Sequence, residues 1–118
     1  MALQVLLGPV IEAGESLSAG LDCSSGSIVR LTMPAGWTPA NLTFAISSDG
    51  QGYNDLFTLD GTEVMIPVTP GSAVVLSPLN EYLKAVAWLK LRSGSRSYPV
   101  AQAARREFAV AIEPAPAR

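Results

Sequence analysis

Turn-forming dipeptides divide this sequence into short apolar segments. The clearest are Asp49-Gly50, Asp60-Gly61, Pro70-Gly71 and Ser93-Gly94. Glycine accepts the positive φ angles that tight turns need, and aspartate hydrogen-bonds its own backbone. Apolar runs that such turns space roughly 8 to 12 residues apart are typical of an all-β sandwich or barrel.

Apolar and polar side chains alternate within these segments, which is the period of a β-strand. In residues 42–48, for example, Leu42, Phe44 and Ile46 share one face. We predict about eight antiparallel strands, and residues 42–48 and 53–59 as a hairpin. The predicted strands cover residues 3–11, 15–19, 27–33, 42–48, 53–59, 62–69, 72–76, 84–92 and 108–112.

The pattern favours an antiparallel, jelly-roll-like β-sandwich. An immunoglobulin-like sandwich is the alternative, although the Cys, Trp and Cys pattern of antibody domains is missing. We expect one helical turn within residues 77–83, a long polar loop over residues 93–102 and some helix propensity in residues 103–107.

A chain of 118 residues is long enough for one domain with its own core. Residues 1–10 are predicted to be an N-terminal arm or an edge strand, because Gly8-Pro9 interrupts their apolar run. Residues 11–113 form the sandwich, and residues 114–118 are a disordered tail. With 48% hydrophobic and 15% charged residues, the chain either has a well-filled core or covers apolar surface with a partner.

Charge is unevenly distributed along the chain. Residues 1–79 hold one basic and seven acidic side chains, whereas residues 80–118 hold seven basic and three acidic ones. If the two halves interleave in one sandwich, which we favour, the imbalance means little. If they occupy separate faces, neighbouring copies attract each other head to tail. Because the domain is acidic overall, we expect no nucleic-acid partner.

Few residue types in this chain can perform catalysis. Histidine is absent, and Cys23, which has no second cysteine to pair with, lies beside Asp22, whose charge disfavours a thiolate. Asp49, Asp55 and Asp60 flank two turns and are a weak calcium candidate, which turn chemistry explains equally well. We therefore expect no enzyme, no cofactor and no metal.

Loop aromatics suggest a second possibility, a sugar-stacking platform. Its candidates are Trp37, Tyr53, Tyr82 and Tyr98. The alternative for Trp37 is that it anchors its loop against the sandwich, which we prefer. The apolar N-terminus is too short for a signal peptide, and no stretch is long enough to span a membrane. We expect synthesis in the cytoplasm and no membrane partner.

Two stretches resemble small structural proteins of tailed bacteriophages and prophages. The first is residues 31–50, LTMPAGWTPANLTFAISSDG, continuing through YNDLF at 53–57 and DGTEV at 60–64. The second is residues 89–105, LKLRSGSRSYPVAQAAR. The order of the strand, the Ser-Asp-Gly turn and YNDLF also resembles galactose-binding-like sandwiches of cell-surface and tail-fibre modules.

The phage resemblance implies a non-enzymatic virion protein on the capsid surface. We expect a capsid decoration (cement) or head-fibre base protein whose partners are the major capsid protein, copies of itself or other virion proteins. A carbohydrate-binding module of a tail fibre or spike, or a tail or baseplate connector, is the alternative. The predicted interface residues are Leu3, Val5, Leu6, Trp37, Arg92, Arg96 and Tyr98.

Overall fold

The computed structural model describes residues 4–76 and 87–114. They form nine strands: β1 Gln4–Ile11, β2 Leu21–Asp22, β3 Gly26–Thr32, β4 Leu42–Ser47, β5 Asn54–Asp55, β6 Met65–Ile66, β7 Ala73–Val75, β8 Trp88–Ser93 and β9 Arg106–Pro114. Within these two ranges there is no helix, and so none that is long and apolar enough to cross a membrane. The helical turn predicted in residues 77–83, and residues 115–118 of the predicted tail, lie outside the described residues.

The strands form two antiparallel sheets. The first sheet has the order β1-β9-β3-β7, and the second has the order β2-β8-β4-β5, with β6 also paired to β4. The partners are nested along the chain: β1 pairs with β9, β2 with β8, β3 with β7, and β4 with β5 and β6. This is the connectivity of a long hairpin ribbon rolled into two packed sheets, a jelly roll. The predicted antiparallel sandwich is confirmed.

Alternation places one face of each sheet in a shared core. Leu89 and Leu91 of β8 point inward, as do Phe108 and Val110 of β9, and all four are at most 1% exposed. Burial of a side chain of this size contributes about 1.5–3 kcal/mol relative to exposure. The packed inner faces therefore hold the two sheets together and leave the outer faces free to carry other chemistry.

The hairpin predicted from residues 42–48 and 53–59 is present but short. β4 pairs with only Asn54 and Asp55 of the second segment. Beyond them, Phe57 pairs with Glu63, so the chain closes its own turn around Asp60-Gly61. β6 ends at Ile66 because the next residue, Pro67, has no backbone N–H to donate.

β1 lies at the edge of the first sheet and pairs with β9 from Gln4 to Ile11. Its register shifts between Leu7 and Val10, where Gly8 adopts a positive φ of 111°. An irregularity with a proline discourages pairing with another strand along that part of the edge. Of the two alternatives for residues 1–10, residues 4–10 lie in an edge strand.

β9 begins earlier than the pattern predicts. Arg106 and Glu107 were assigned some helix propensity, but they pair with Ile11 and Val10 of β1. Tertiary pairing overrides a weak local preference here.

Candidate interaction surface

An ion-pair cluster lies on the outer face of the second sheet. Arg92 donates from one guanidinium nitrogen to Asp55 at 2.5 Å and from the other to Glu63 at 3.5 Å. Arg96 donates to the second carboxylate oxygen of Asp55 at 3.1 Å, and its backbone N–H donates to Glu63. Two carboxylates and two guanidinium groups therefore satisfy one another.

Strand alternation brings these groups together. Leu91 is buried in the core, so Arg92, which follows it and lies opposite Thr43 of β4, points outward. Asp55 lies opposite Ala45 of β4, which is the next outward-facing residue of β4 after Thr43. The cluster therefore joins β8, β5, the segment before β6 and the loop after β8.

Partial burial makes the cluster stronger than a typical surface ion pair. The Arg92 and Glu63 side chains are each 12% exposed, and the Asp55 side chain is 27% exposed. Burial raises the pKa of Asp55, but the hydrogen bonds and positive charges of Arg92 and Arg96 outweigh it and hold that pKa below its usual value. Asp55 is consequently ionised at neutral pH.

Four large hydrophobic side chains are exposed next to this cluster. They are Phe57, Leu59, Met65 and Tyr98, which we call the hairpin patch; their exposed fractions are 41%, 101%, 43% and 81%. Phe57 follows Asp55 by two residues, and Met65 follows Glu63 by two residues. In an extended chain, residues two apart point to the same side. The Arg96 guanidinium lies over the Phe57 ring, 5.8 Å from its centroid. The ion pairs thus position Arg96 against one side chain of the patch, the Phe57 ring.

A compact loop presents Tyr98. Gly94 adopts a φ of 87° and pairs with Pro99 across the loop. The Ser95 N–H donates to the Tyr98 carbonyl, and the Tyr98 N–H donates to the Ser95 hydroxyl. Gly94 also donates to the Asn41 carbonyl at 2.8 Å. Tyr98 is therefore exposed on a loop that is itself well hydrogen-bonded.

Three of the predicted interface residues, Arg92, Arg96 and Tyr98, lie in this region. Of the N-terminal candidates, Val5 is 55% exposed on the outer face of the first sheet. Leu6 is partly buried and packs against the core. Leu3 lies outside the described residues.

Trp37 is a core residue, which confirms the preferred prediction that it anchors its loop against the sandwich; its prediction as an interface or sugar-stacking residue is wrong. Its side chain is 3% exposed, its indole N–H donates to the Ala40 carbonyl at 3.0 Å, and its ring packs edge-on against Phe108 at 5.5 Å. A tryptophan in a Pro- and Gly-rich loop looks exposed in sequence. Here the loop folds back and uses the indole as its anchor.

The other loop aromatics have separate environments. The ammonium nitrogen of Lys90, on the outer face of β8, lies 4.4 Å from the centroid of the Tyr53 ring. Tyr98 lies on the loop after β8, and Tyr82 lies outside the described residues. With Trp37 buried, the predicted sugar-stacking platform is not assembled.

The three aspartates considered for calcium serve different purposes. Asp49 accepts the backbone N–H groups of Gln51 and Gly52 in its own turn, which lowers its pKa. Asp60 accepts the Thr58 hydroxyl and the Thr62 backbone N–H in the next turn, which lowers its pKa, and Asp55 pairs with arginines. Across residues 4–76 and 87–114, no group of three or more potential metal ligands is found.

Cys23 is fully buried and is a poor nucleophile. Desolvation, with a smaller contribution from the charge of Asp22, raises the pKa of its thiol from 9.0 to about 12. The thiol is therefore protonated at neutral pH.

The two differently charged halves of the sequence interleave. Among the described residues, Arg92 and Arg96 pair with Asp55 and Glu63, and Arg105 lies 3.9 Å from Glu12. Each of these pairs joins a base from the second half to an acid from the first. The charge imbalance is thus partly neutralised within one molecule.

Sequence reasoning did not single out Glu63, Phe57, Leu59 or Met65. The alternation indicates where two of them point: Phe57 is two residues from Asp55 and Met65 is two residues from Glu63, so each points to the same side as its acidic neighbour. What the pattern alone did not show is that β5 and β6 are short and project this turn beside the loop after β8.

We compared the chain with known protein families, curated proteins and solved structures. No protein-family model, curated protein or solved structure matches the chain.

Proposed function

We propose that this chain is a non-enzymatic structural protein of a tailed-phage virion, which decorates the capsid by docking its hairpin patch on the major capsid protein. The observation that carries the proposal is the patch itself: four large apolar side chains exposed near an ion-pair cluster, one member of which, Arg96, lies over the Phe57 ring. Large exposed apolar side chains in one region of a small domain are typical of a binding site.

The rigidity of this surface supports docking. Asp55 and Glu63 are each held by arginines, and the loop bearing Tyr98 is closed by its own hydrogen bonds. A surface that is ordered before binding loses little conformational entropy on contact. Such a module suits a rigid lattice that offers many identical sites.

The chemistry of the surface supports a role without catalysis. Its carboxylates are committed to arginines, and the Cys23 thiol is buried and protonated. The jelly roll is also a frequent fold of viral capsid and lectin domains, although fold alone does not assign function. The burial of Trp37 removes the main observation behind the carbohydrate-binding alternative.

Occupancy of phage particles tests the proposal. In the bacterium that carries the gene, the chain is expressed as wild type, as Leu59→Asp, or as Gln51→Asp, and particles are purified on a density gradient. Leu59→Asp introduces a charge at the fully exposed tip of the patch, and Gln51→Asp adds the same charge at an exposed turn outside it.

We expect wild type and Gln51→Asp to co-purify with particles in many copies. Leu59→Asp should fall at least about tenfold in occupancy, which corresponds to about 1.4 kcal/mol of binding free energy. Circular dichroism checks that each variant is folded. Wild-type chain absent from the particles, or Leu59→Asp bound as well as wild type, contradicts the proposal.

A further inference from the structure

The outer face of the first sheet carries two complete rows of side chains across all four strands. One row is Val5, Ala111, Arg30 and Val75, from β1 through β9 and β3 to β7. The next outward row is Leu7, Ala109, Thr32 and Ala73. The side chains between them, such as Val110 and Leu31, point into the core.

This face is apolar, and it is most exposed along its edges. Six of its eight residues are apolar, and the largest of them lie on the two edge strands: Val5, Leu7 and Val75 are 55%, 77% and 70% exposed. The central strand β9 contributes only alanines to the two rows, and one of them, Ala111, is 3% exposed. The face is therefore low along β9.

Charges of both signs lie on the same face. Arg30 is exposed in β3, in the row of Ala111. Glu113 is exposed two residues further along β9 and therefore points to the same side as Ala111. A face with opposite charges placed off its centre can complement a copy of itself.

We propose that the first sheet packs face to face on the first sheet of a second copy, about a two-fold axis that runs parallel to the strands between β9 and β3. This operation places β1 over the partner's β7 and keeps the rows aligned. Val5 then lies against the partner's Val75, and Leu7 lies against the partner's Ala73. The two-fold axis produces each of these edge contacts twice, so the exposed apolar side chains on the edges of both copies are covered.

The same axis brings the charges together. Arg30 lies over the partner's Ala111. From there its guanidinium reaches the partner's Glu113, one outward position further along the strand. The two-fold repeats this pair, so the interface is isologous, as in most homodimers. Aligned sheet-on-sheet packing is the ordinary way in which two such faces meet.

The size of the face predicts a weak dimer. Four strands span about 19 Å, and the stretch from Glu107 to Glu113 spans about 20 Å. Two such faces bury on the order of 800 Å², below the 1,200–2,000 Å² of stable interfaces. Self-association is therefore expected to depend on concentration, and to be reinforced where copies are already held close together.

Sedimentation of the purified full chain tests this directly, up to about 1 mM, where even weak association is visible. We expect a monomer–dimer equilibrium for wild type. Arg30→Glu and Glu113→Arg should each raise the dimer Kd at least about tenfold, because each places like charges opposite one another.

An equimolar mixture of the two single variants is the decisive sample. Arg30 and Glu113 are diagonal neighbours within one chain, so an intramolecular effect would be repaired only in the double variant. A contact between copies is repaired in the mixture as well, because Glu at position 30 of one variant then meets Arg at position 113 of the other.

Dimerisation restored by the mixture supports the inference. A wild-type monomer at every concentration, unchanged dimers in both single variants, or failure of the mixture to dimerise overturns it. Leu59→Asp, which alters the opposite side of the sandwich, is the control and should dimerise like wild type. Because this readout needs no particles, it stands or falls independently of the capsid proposal.

Discussion

Arg92 and Asp55 are the residues on which the ion-pair cluster depends most directly. Each of the two arginines contacts Asp55, and Arg92 also contacts Glu63. A pair this close to the surface contributes modestly to stability when it is isolated, but more when several charges share partners. Two residue-level predictions follow: Asp55 makes the stability of the fold depend on pH, and the Cys23 thiol, which is a separate feature, is unreactive.

Acid should weaken the fold through Asp55. Its pKa is below the ordinary value of 3.8 in the folded chain, so the unfolded chain binds more protons near that pH. The stability that Asp55 contributes is present above pH 3.8 and is lost as the pH falls through its lowered folded pKa. We expect Asp55→Asn to cost about 1 kcal/mol at pH 7 and to show a shallower loss of stability below pH 4.

Urea unfolding between pH 3 and pH 7 measures this difference. The control is Glu12→Gln, which removes an exposed carboxylate 3.9 Å from its arginine and should keep the wild-type acid slope. Identical pH profiles for wild type and Asp55→Asn would show that the ion pairs do not form in solution.

The Cys23 thiol should be unreactive in the native chain. It is fully buried, and its pKa is raised to about 12, so it supplies almost no thiolate at pH 8. Ellman's reagent should modify it rapidly in concentrated urea, and under native conditions only as fast as the sandwich opens. Native labelling at the unfolded rate would refute the burial of this residue.

At the scale of elements, the loop after β8 is the part whose shape matters most to the patch. A Cβ atom added at Gly94 would lie 2.4 Å from the Tyr98 carbonyl oxygen and 2.8 Å from the Val100 nitrogen. Since both contacts are with backbone, no side-chain rotation relieves them. The loop has to open if position 94 carries a side chain.

Alanine substitutions at two glycines separate this steric effect from backbone strain. Gly94 and Gly61 both have a φ of 87°, but a Cβ at Gly61 meets nothing within 4 Å. Gly61→Ala should cost about 1 kcal/mol from strain alone. Gly94→Ala should cost at least about 1 kcal/mol more and should also reduce particle occupancy. Equal losses of unfolding free energy in the two variants would show that the loop is not closed.

At the scale of the whole molecule, the two outer faces of the sandwich carry different surfaces. The hairpin patch lies on the second sheet, and the face with Val5, Leu7 and Val75 lies on the first. A module with apolar surfaces on opposite sides can hold a lattice with one and a second copy with the other.

The sequence predicted the fold better than the surface. Alternation such as that of Leu89 and Leu91 reports which side chains face the core, and the turn dipeptides report where strands end. Burial of Trp37 and pairing of Arg92 with Asp55 depend on contacts between residues far apart in the chain. Local patterns carry no information about such contacts, so Glu63 was missed, and Asp55 was considered for calcium and not for an ion pair.

The most direct test of the account is an electron cryo-microscopy reconstruction of phage particles purified from cells that express this chain. The account predicts sandwich-shaped density repeated over the capsid lattice, with the Asp60-Gly61 turn and Tyr98 against the major capsid protein. Density confined to the tail, or no density for this chain in any particle, would contradict it.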